Sequence, residues 1–368
     1  MADKPQIQRG YTHDYKSPCI YMLTVTVEGR EPLLGKLVGD VSTAHIELSL
    51  LGEAVRYELY ALCQRYPQLR LLQYQVMPDH VHVIMQVTTR LQKPLGNLLS
   101  SWKIACGQRY GRMIEAAGAS APTRDNGTVP EATGASAPSR DKGMVTEITS
   151  IGEEGTLAPL SGVAVLAPAE GKEETGGSPF RRLFSEGYND RILQGKGQLQ
   201  RMIDYIRDNP RRLLLKHQQS SFFNIHRSID VAGHTMDAIG NLALLRAPLL
   251  AVHCRRHWTP MEQHNYAEGC IKASQEGSVL IGAFISKTEQ TIALKASVLH
   301  QPIIHITENG FPELYKPVGQ AFYSCAEGRL LQLAPWKHHA NRMTISREQC
   351  NAMNTIAETI ATTLNNPK

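Results

Sequence analysis

Two histidines stand two residues apart in the stretch Pro78-Asp79-His80-Val81-His82-Val83, which decides the fold of the first part of the chain. The stretch lies in a largely apolar, alternating segment, residues 71–87, and this pattern is typical of buried β-strands. Side chains at positions i and i+2 leave a strand on the same face, so both imidazoles are expected to point at one spot. Two converging imidazoles favour a divalent metal site. The alternative is that both are partly buried sheet residues with hydrogen-bonded rings.

The composition is that of a soluble protein with more than one domain. The chain has 368 residues, too many for one ordinary core, and 42% of them are hydrophobic and 20% charged. No apolar run approaches the ~18 residues of a membrane span, and Met1-Ala2-Asp3-Lys4-Pro5 lacks the pattern of a signal peptide. The 7 cysteines are scattered, which favours reduced thiols over a disulfide framework or a zinc cluster. We therefore expect a cytoplasmic protein with no membrane partner.

Residues 1–114 are predicted to form a compact unit of strands and helices. The patterns indicate strands at 21–27, 71–77 and 80–87 and helices at 43–66 and 95–113. Residues 115–178 are rich in Gly, Ala, Ser, Thr, Pro and Glu, and the segment 118–127 recurs at 134–143. Such a composition buries too little apolar surface to order itself, so we expect a disordered acidic insertion.

Ordered structure is expected again from residue 179. The segment 179–217 predicts a strand at 180–193 and a helix at 198–209, which Pro210 should end because the residue before a proline avoids the α region. Residues 218–240 are expected to be a linker. In residues 241–368, predicted strands alternate with predicted helices, the pattern of a doubly wound parallel sheet. The strands are expected at 248–252, 278–281 and 302–306, and the helices at 260–275, 286–299 and 346–364.

The charge is unevenly distributed along the chain. The net charge is +5, and the positive charge is concentrated in the segments 1–114 and 178–216, whereas the insertion is acidic. Basic ordered segments favour a polyanionic partner, of which phosphate backbones are the commonest.

Tyr205 and Asn209 lie four residues apart on the predicted helix before Pro210, and hence on one face of it. If this helix packs over the strand of the histidines, Asn209 can offer its amide oxygen as a third ligand while Tyr205 faces the ion. Two imidazoles, one amide oxygen and open positions suit Mn²⁺ or Mg²⁺ gripping a phosphate oxygen better than they suit zinc. The tyrosine would then be the nucleophile of a phosphoryl transfer. The alternative is that Tyr205 is an ordinary surface or core tyrosine.

Four segments in the right order resemble the HUH single-tyrosine transposases, most closely the REP-associated tyrosine transposases. One is the basic helix at 95–113, and the others are Tyr74-Gln-Val-Met-Pro-Asp-His80-Val-His82-Val-Ile84, Phe184-Ser-Glu-Gly-Tyr188-Asn-Asp-Arg-Ile192 and Ile203-Asp-Tyr205-Ile-Arg-Asp-Asn209-Pro210. The resemblance covers residues 15–114 and 179–217. It implies an α+β ferredoxin-like HUH nuclease domain, an antiparallel sheet with helices on one face. It also implies a transposase that cleaves and rejoins single-stranded or hairpin DNA of a bacterial mobile element.

The resemblance also implies roles for individual residues. His80 and His82 correspond to metal ligands, Asn209 to a further ligand of Mg²⁺ or Mn²⁺, and Tyr205 to the nucleophile that forms a covalent 5′-phosphotyrosine. Tyr188 is the rival nucleophile, and relatives of this kind commonly act as homodimers. The candidate DNA contacts are basic residues, each of which is otherwise a solvated charge: Lys103, Arg109, Arg181, Arg182 and Arg191.

Residues 241–368 resemble the nucleotide-binding-like fold of the DNA-processing protein A group, an α/β Rossmann-like domain. The resemblance is carried by Gly240-Asn-Leu-Ala-Leu-Leu-Arg-Ala-Pro-Leu-Leu-Ala-Val-His-Cys-Arg-Arg256 and by the segments 277–282 and 327–334. His253 stands where members of that group typically carry a glycine, which argues against phosphate binding by this turn.

Three other functions remain open at this point. An HUH replication initiator or relaxase would use similar chemistry at an origin of replication. A non-catalytic DNA-binding protein would bind hairpins without nicking them. A metal-dependent hydrolase of small molecules would not need basic surfaces, and its binding would not depend on salt.

Overall fold

Alternating apolar residues build a four-stranded antiparallel sheet in the first part of the chain. The computed structural model describes residues 13–119, 181–255, 257–340 and 344–366. The sheet has the strand order β4-β5-β1-β6. The elements of this part are β1 (Cys19–Thr26), β2 (Gly35–Val38), β3 (His45–Leu48), α1 (Leu50–Arg65), β4 (Leu69–Val76), β5 (His80–Val87), α2 (Leu95–Ala119), β6 (Asn189–Ile192) and α3 (Gln198–Gln218).

The two faces of this sheet carry different helices. Tyr21, Leu23 and Val25 of β1 are buried in a core that includes residues of α1 and α2, so these two helices lie on one face. The alternate residues Ile20 and Met22 pack instead with apolar residues of α3. The third helix therefore covers the opposite face, which is the face that carries the histidines.

The predicted helix at 43–66 begins later than expected, because its first residues form a strand. β2 and β3 pair as an antiparallel hairpin, which the sequence patterns did not indicate. Ser49 then caps α1, since its hydroxyl accepts the backbone N–H of Gly52 at 3.0 Å. Gly52 is required there because a Cβ atom would lie 1.9 Å from the carbonyl oxygen of Leu34. Close packing of the hairpin on the helix start thus overrides the helical pattern.

The prediction that Pro210 ends the tyrosine-bearing helix is wrong. α3 continues through Pro210 to Gln218. A proline inside a helix costs about 3 kcal/mol, but Pro210 is buried, and Leu215 beyond it packs against an apolar cluster that includes Phe223 and Phe322. Burial of the segment after the proline offsets the cost.

The other boundaries in this part also shift. α2 extends to Ala119, so residues 115–119 of the expected insertion are helical, and residues 120–178 lie outside the described residues. Within the strand predicted at 180–193, β6 contains only Asn189–Ile192, and Phe184 forms an isolated bridge with Val27.

A six-stranded mixed sheet forms the second part, with the strand order β7-β8-β12-β11-β10-β9. Strands β9 to β12 are parallel, as predicted, whereas β8 runs antiparallel to β12, and β7 antiparallel to β8. The elements are β7 (Ile225–Val231), β8 (His234–Gly240), β9 (Leu249–Ala251), α4 (Pro260–Gln275), β10 (Val279–Gly282), α5 (Lys287–Val298), β11 (Ile303–Ile306), α6 (Gln320–Ala326), β12 (Leu330–Ala334) and α7 (Arg347–Asn365).

The linker expected at 218–240 is instead part of this sheet. Residues 220–223 form a short 3-10 helix, and β7 and β8 follow it directly. Their hairpin extends the parallel strands at one edge, so the second part begins soon after α3 ends. None of the helices in the described part of the chain is both long and apolar enough to span a bilayer.

Candidate active site

Strand β5 brings His80 and His82 together on the face covered by α3. The Nε2 atoms of the two rings lie 3.1 Å apart, and the ring centroids 4.6 Å apart. His82 is 7% exposed, whereas the side chain of His80 remains partly accessible. The convergence predicted from the two-residue spacing is confirmed.

Each ring is held through its other nitrogen. Nδ1 of His80 lies 2.6 Å from a carboxylate oxygen of Asp79, and Nδ1 of His82 lies 2.8 Å from the hydroxyl of Thr24, its partner on β1. Burial acts to raise the pKa of Asp79, but His80 and Arg30 outweigh it and keep this pKa below its usual value. The ionised carboxylate only accepts, so Nδ1 of His80 carries the proton. A neutral His80 therefore presents the lone pair of Nε2 towards His82.

The separation of His80 and His82 leaves room for a proton or a cation between the two rings. Burial and the neighbouring His80 lower the pKa of His82 to about 3, so His82 is neutral at physiological pH. At 3.1 Å the two Nε2 atoms are within hydrogen-bond distance, so one proton, or a cation in its place, can bridge the two rings. A separation of 3.1 Å lets both nitrogens reach a single divalent ion.

Within the described part of the chain, further ligands would have to come from groups other than a cluster of histidines, cysteines and carboxylates. Among residues 13–119, 181–255, 257–340 and 344–366, no group of three or more His, Cys, Asp and Glu side chains is arranged to hold a metal. Asn209 is buried one turn after Tyr205, and its Nδ2 has no hydrogen-bond partner within the described part of the chain. An amide can turn by 180°, which would put Oδ1 at this unpaired position. The donor set therefore fits a hard divalent cation with nitrogen and oxygen ligands.

Tyr205 lies against the histidine pair. Its ring centroid is 6.0 Å from that of His82, at an interplanar angle of 65°. Its other ring neighbour is Arg212, whose guanidinium carbon is 5.4 Å from the Tyr205 centroid. The tyrosine is 37% exposed, so a large substrate can reach its side chain. The structure thus brings together His80, His82 and Tyr205, which the sequence predicted as one site.

A row of polar side chains crosses the sheet at the level of His82. The strand registers place Gln75 of β4, His82 of β5, Thr24 of β1 and Asn189 of β6 side by side. Arg191 is on the same face two residues further along β6, and it is exposed. Of the five predicted DNA contacts, Arg191 is the one that this register places on the histidine face.

The other predicted DNA contacts belong to the α2 side of the sheet. Lys103 donates to the carbonyl oxygens of Ser185 and Gly187, and Arg109 is ion-paired with Glu58. Lys103 and Arg109 therefore stabilise contacts within the first part of the chain.

Arg181 and Arg182 also lie on the α2 side of the sheet. The backbone N–H of Arg181 donates to Gly107 of α2, and the guanidinium of Arg182 lies 3.2 Å from Glu186. The rival tyrosine, Tyr188, packs with the core on this side, where its hydroxyl would lie 2.9 Å from a Cβ atom on Gly96. The structure therefore separates Tyr188 from the histidines.

Thr24 and Arg212 are site residues that sequence reasoning missed. Thr24 follows from strand alternation only when the β1–β5 register is known, because the pairing is what places it beside His82. Arg212 lies beyond Pro210, where the helix was expected to have ended.

Replacing Thr24 with valine is expected to lower the free energy of unfolding by about 1–3 kcal/mol, because the buried Nδ1 of His82 loses its partner. Urea unfolding monitored by circular dichroism measures this change. Thr26→Val is the matched control, since Thr26 lies opposite His80 on the same face of β1. An equal loss in both variants would contradict the role of Thr24.

In the second part, a buried carboxylate of α5 bonds to the turn after β9. Glu289 is buried and accepts backbone N–H groups of Cys254, Ile285 and Ser286 at 2.8, 2.9 and 3.0 Å. The side chain of His253 lies 3.2 Å from Glu358. The carboxylate thus occupies one backbone donor of this turn, and the expectation that the turn does not bind phosphate stays a prediction.

The chain matches no protein-family model and no curated protein. Similar solved structures include a REP-associated tyrosine transposase bound to a REP hairpin, at 11% identity and a TM-score of 0.29, over 55% of this chain and 73% of that one. DNA processing protein A from Helicobacter pylori is similar at 14% identity and a TM-score of 0.28, over 38% of this chain and 65% of that one. DNA processing protein A from Streptococcus pneumoniae is similar at 15% identity and a TM-score of 0.29, over 46% of this chain and 60% of that one. At these TM-scores the likenesses assign no function to this chain.

Proposed function

We propose that this protein is a transposase, a metal-dependent single-stranded DNA endonuclease and strand transferase with Tyr205 as its nucleophile. The observation that carries the proposal is the position of Tyr205, whose ring lies beside His82 while the Nε2 atoms of His80 and His82 converge. A phenol, two imidazoles on one rigid strand and an open approach are the parts that a phosphotyrosine-forming enzyme needs.

The fold supports the same proposal. The first sheet has the strand order β4-β5-β1-β6, with α1 and α2 on one face, and we assign it to the ferredoxin-like HUH nuclease fold. The four parallel strands β9 to β12 and their helices support a Rossmann-like second domain. The two domains would then be formed by residues up to about 218 and by residues after it.

The reaction is an in-line displacement on a backbone phosphate. Oη of Tyr205 attacks the phosphorus and loses its proton, and the bond from phosphorus to the 3′ oxygen breaks. The 3′ oxygen takes up a proton, which leaves a free 3′-OH on one strand and a 5′-phosphotyrosine on the protein. The 3′-OH of a second DNA end reverses the step and releases Tyr205, and no ATP is required because the ester keeps the bond energy.

Mg²⁺ or Mn²⁺ would be held by His80 and His82, with Asn209 as a further ligand. When bound, the ion supplies positive charge that polarises the scissile phosphate. The protein's own residues orient the rings, since Asp79 and Thr24 fix the two imidazoles. Groups that bond to the non-ligating nitrogen of a metal-binding histidine, as Asp79 and Thr24 would here, typically raise metal affinity or activity 10–100-fold.

The surface around Tyr205 suits a nucleic acid strand. On α3, Arg201 is exposed one turn before Tyr205, and Arg191 is exposed on the histidine face of the sheet. Exposed cations at such positions can contact phosphates without reading the base sequence. Single-stranded DNA, free or flanking a hairpin, is the partner that we propose.

A covalent adduct tests the proposal. The protein is incubated with single-stranded oligonucleotides from the flanks of its own gene, labelled at the 3′ or the 5′ end, with Mn²⁺ or Mg²⁺. On a denaturing gel, the 3′ label should migrate with the protein and the 5′ label should appear on a shortened oligonucleotide. A chelator should abolish both products. No adduct with either ion, or an adduct that survives chelation, would reject this chemistry.

A further inference from the structure

The helix that carries Tyr205 belongs to two hydrophobic cores. Its first half packs on the histidine face of the first sheet through residues such as Met202 and Ile206. Its second half packs through Leu215 on the cluster that contains Phe223 and Phe322 of the second part. One rigid element therefore connects the candidate nucleophile with the second domain.

The contact between α3 and α6 lies three to seven residues after Tyr205. The hydroxyl of Tyr323 donates to the carboxylate of Asp208. The guanidinium carbon of Arg212 lies 3.7 Å from the ring centroid of Phe322 and 5.7 Å from that of Tyr323. We call these four residues, Asp208, Arg212, Phe322 and Tyr323, the α3–α6 contact.

Arg212 joins this contact to the site. An arginine side chain loses rotamer entropy when it is fixed, and a stacked aromatic ring offsets this cost through a cation–π interaction. Phe322 is that ring, and it is itself buried. The fixed guanidinium carbon then lies 5.4 Å from the ring centroid of Tyr205. The ring of Tyr205 also contacts the ring of His82.

We propose that the second domain positions the nucleophile: Phe322 fixes Arg212, and Arg212 fixes the ring of Tyr205 towards the histidine pair. The inference rests on the proposed function, and it makes Phe322 and Arg212 positioning residues for the transfer step. The second domain then contributes to the orientation of Tyr205, whatever ligand it binds.

The test compares two identical changes within the second domain. Phe322→Leu removes the ring on Arg212, and Phe311→Leu removes another buried ring, which stacks on Tyr315 and does not belong to the α3–α6 contact. Adduct formation with saturating labelled oligonucleotide should slow about tenfold or more in Phe322→Leu, since small misplacements of a reacting group are costly. Phe311→Leu should stay within about twofold of the unaltered protein, and the Kd for the oligonucleotide should be unchanged in both.

A second pair of variants avoids changes of core volume. Tyr323→Phe loses the hydroxyl on Asp208, and Tyr315→Phe loses a hydroxyl that donates to Gln332 at 3.0 Å. The first should slow adduct formation and the second should not. Arg212→Gln should also slow it, and Arg212→Lys, which keeps a cation, should recover much of the rate.

The outcomes separate this inference from the proposed function. If the unaltered protein forms no adduct, the proposed function fails and the positioning role with it. If it does form one and the two members of each pair slow equally, the positioning role alone is overturned. A weaker Kd with an unchanged rate in Phe322→Leu would also overturn it, because the second domain would then act through binding.

Discussion

Replacing Tyr205 with phenylalanine is expected to abolish the protein–DNA adduct. Loss of a nucleophile typically lowers turnover by a factor on the order of 10⁴ or more, so no adduct should be visible even after long incubation. The change should not disturb folding, because the ring remains beside His82 and Arg212 and the side chain is already 37% exposed. A denaturing gel with 3′-labelled oligonucleotide measures the result.

Tyr188→Phe is the matched control for this experiment. It makes the same change in the same part of the chain, on the other face of the sheet. The control should form the adduct at close to the normal rate. If the adduct persists in Tyr205→Phe and disappears in Tyr188→Phe, the nucleophile has been assigned to the wrong residue.

Alanine at His80 or His82 should have the second largest effect. Each change removes one of the two nitrogens that converge at 3.1 Å, and loss of a ligand should exceed the 10–100-fold cost that is typical of its supporting residues. We expect adduct formation to fall by at least about 100-fold at a fixed Mn²⁺ concentration. Mn²⁺ binding, followed by electron paramagnetic resonance without DNA, should weaken in parallel.

His45→Ala is the control for the histidine variants. His45 is exposed on β3 and bonds through Nδ1 to the backbone oxygen of Thr43. Its loss should change neither Mn²⁺ binding nor the adduct. Unaltered Mn²⁺ binding in both His80→Ala and His82→Ala would remove the basis for a metal at this place.

Local pattern was a good guide to elements whose partners are close in sequence. The alternation of residues 80–87 predicted β5 to the residue, and the helices at 260–275 and 286–299 lie within about one residue of α4 and α5. α4 and α5 begin at capping boxes, which depend little on distant packing, and β5 pairs with β4, the element just before it in the chain.

Pattern failed where contacts between distant segments decide the structure. The end predicted at Pro210 ignored the cluster around Phe322, more than 100 residues later in the chain, that stabilises the second half of α3. Residues 45–48 have a helical pattern but pair with β2. Lys103 was a candidate DNA contact because of its charge alone. Only the fold shows that its ammonium group donates to the backbone carbonyls of residues 185 and 187.

The position of β6 bears on how this protein is made. β1 is an inner strand of the finished sheet, but one of its neighbours, Asn189–Ile192, comes much later in the chain. At a synthesis rate of about 5–20 residues per second, the ribosome needs roughly 10–30 s to pass from one to the other. During that interval the newly made β1 has a row of unpaired amide and carbonyl groups to which other nascent chains can pair, so bacterial expression should improve when additional chaperone is present to cover it.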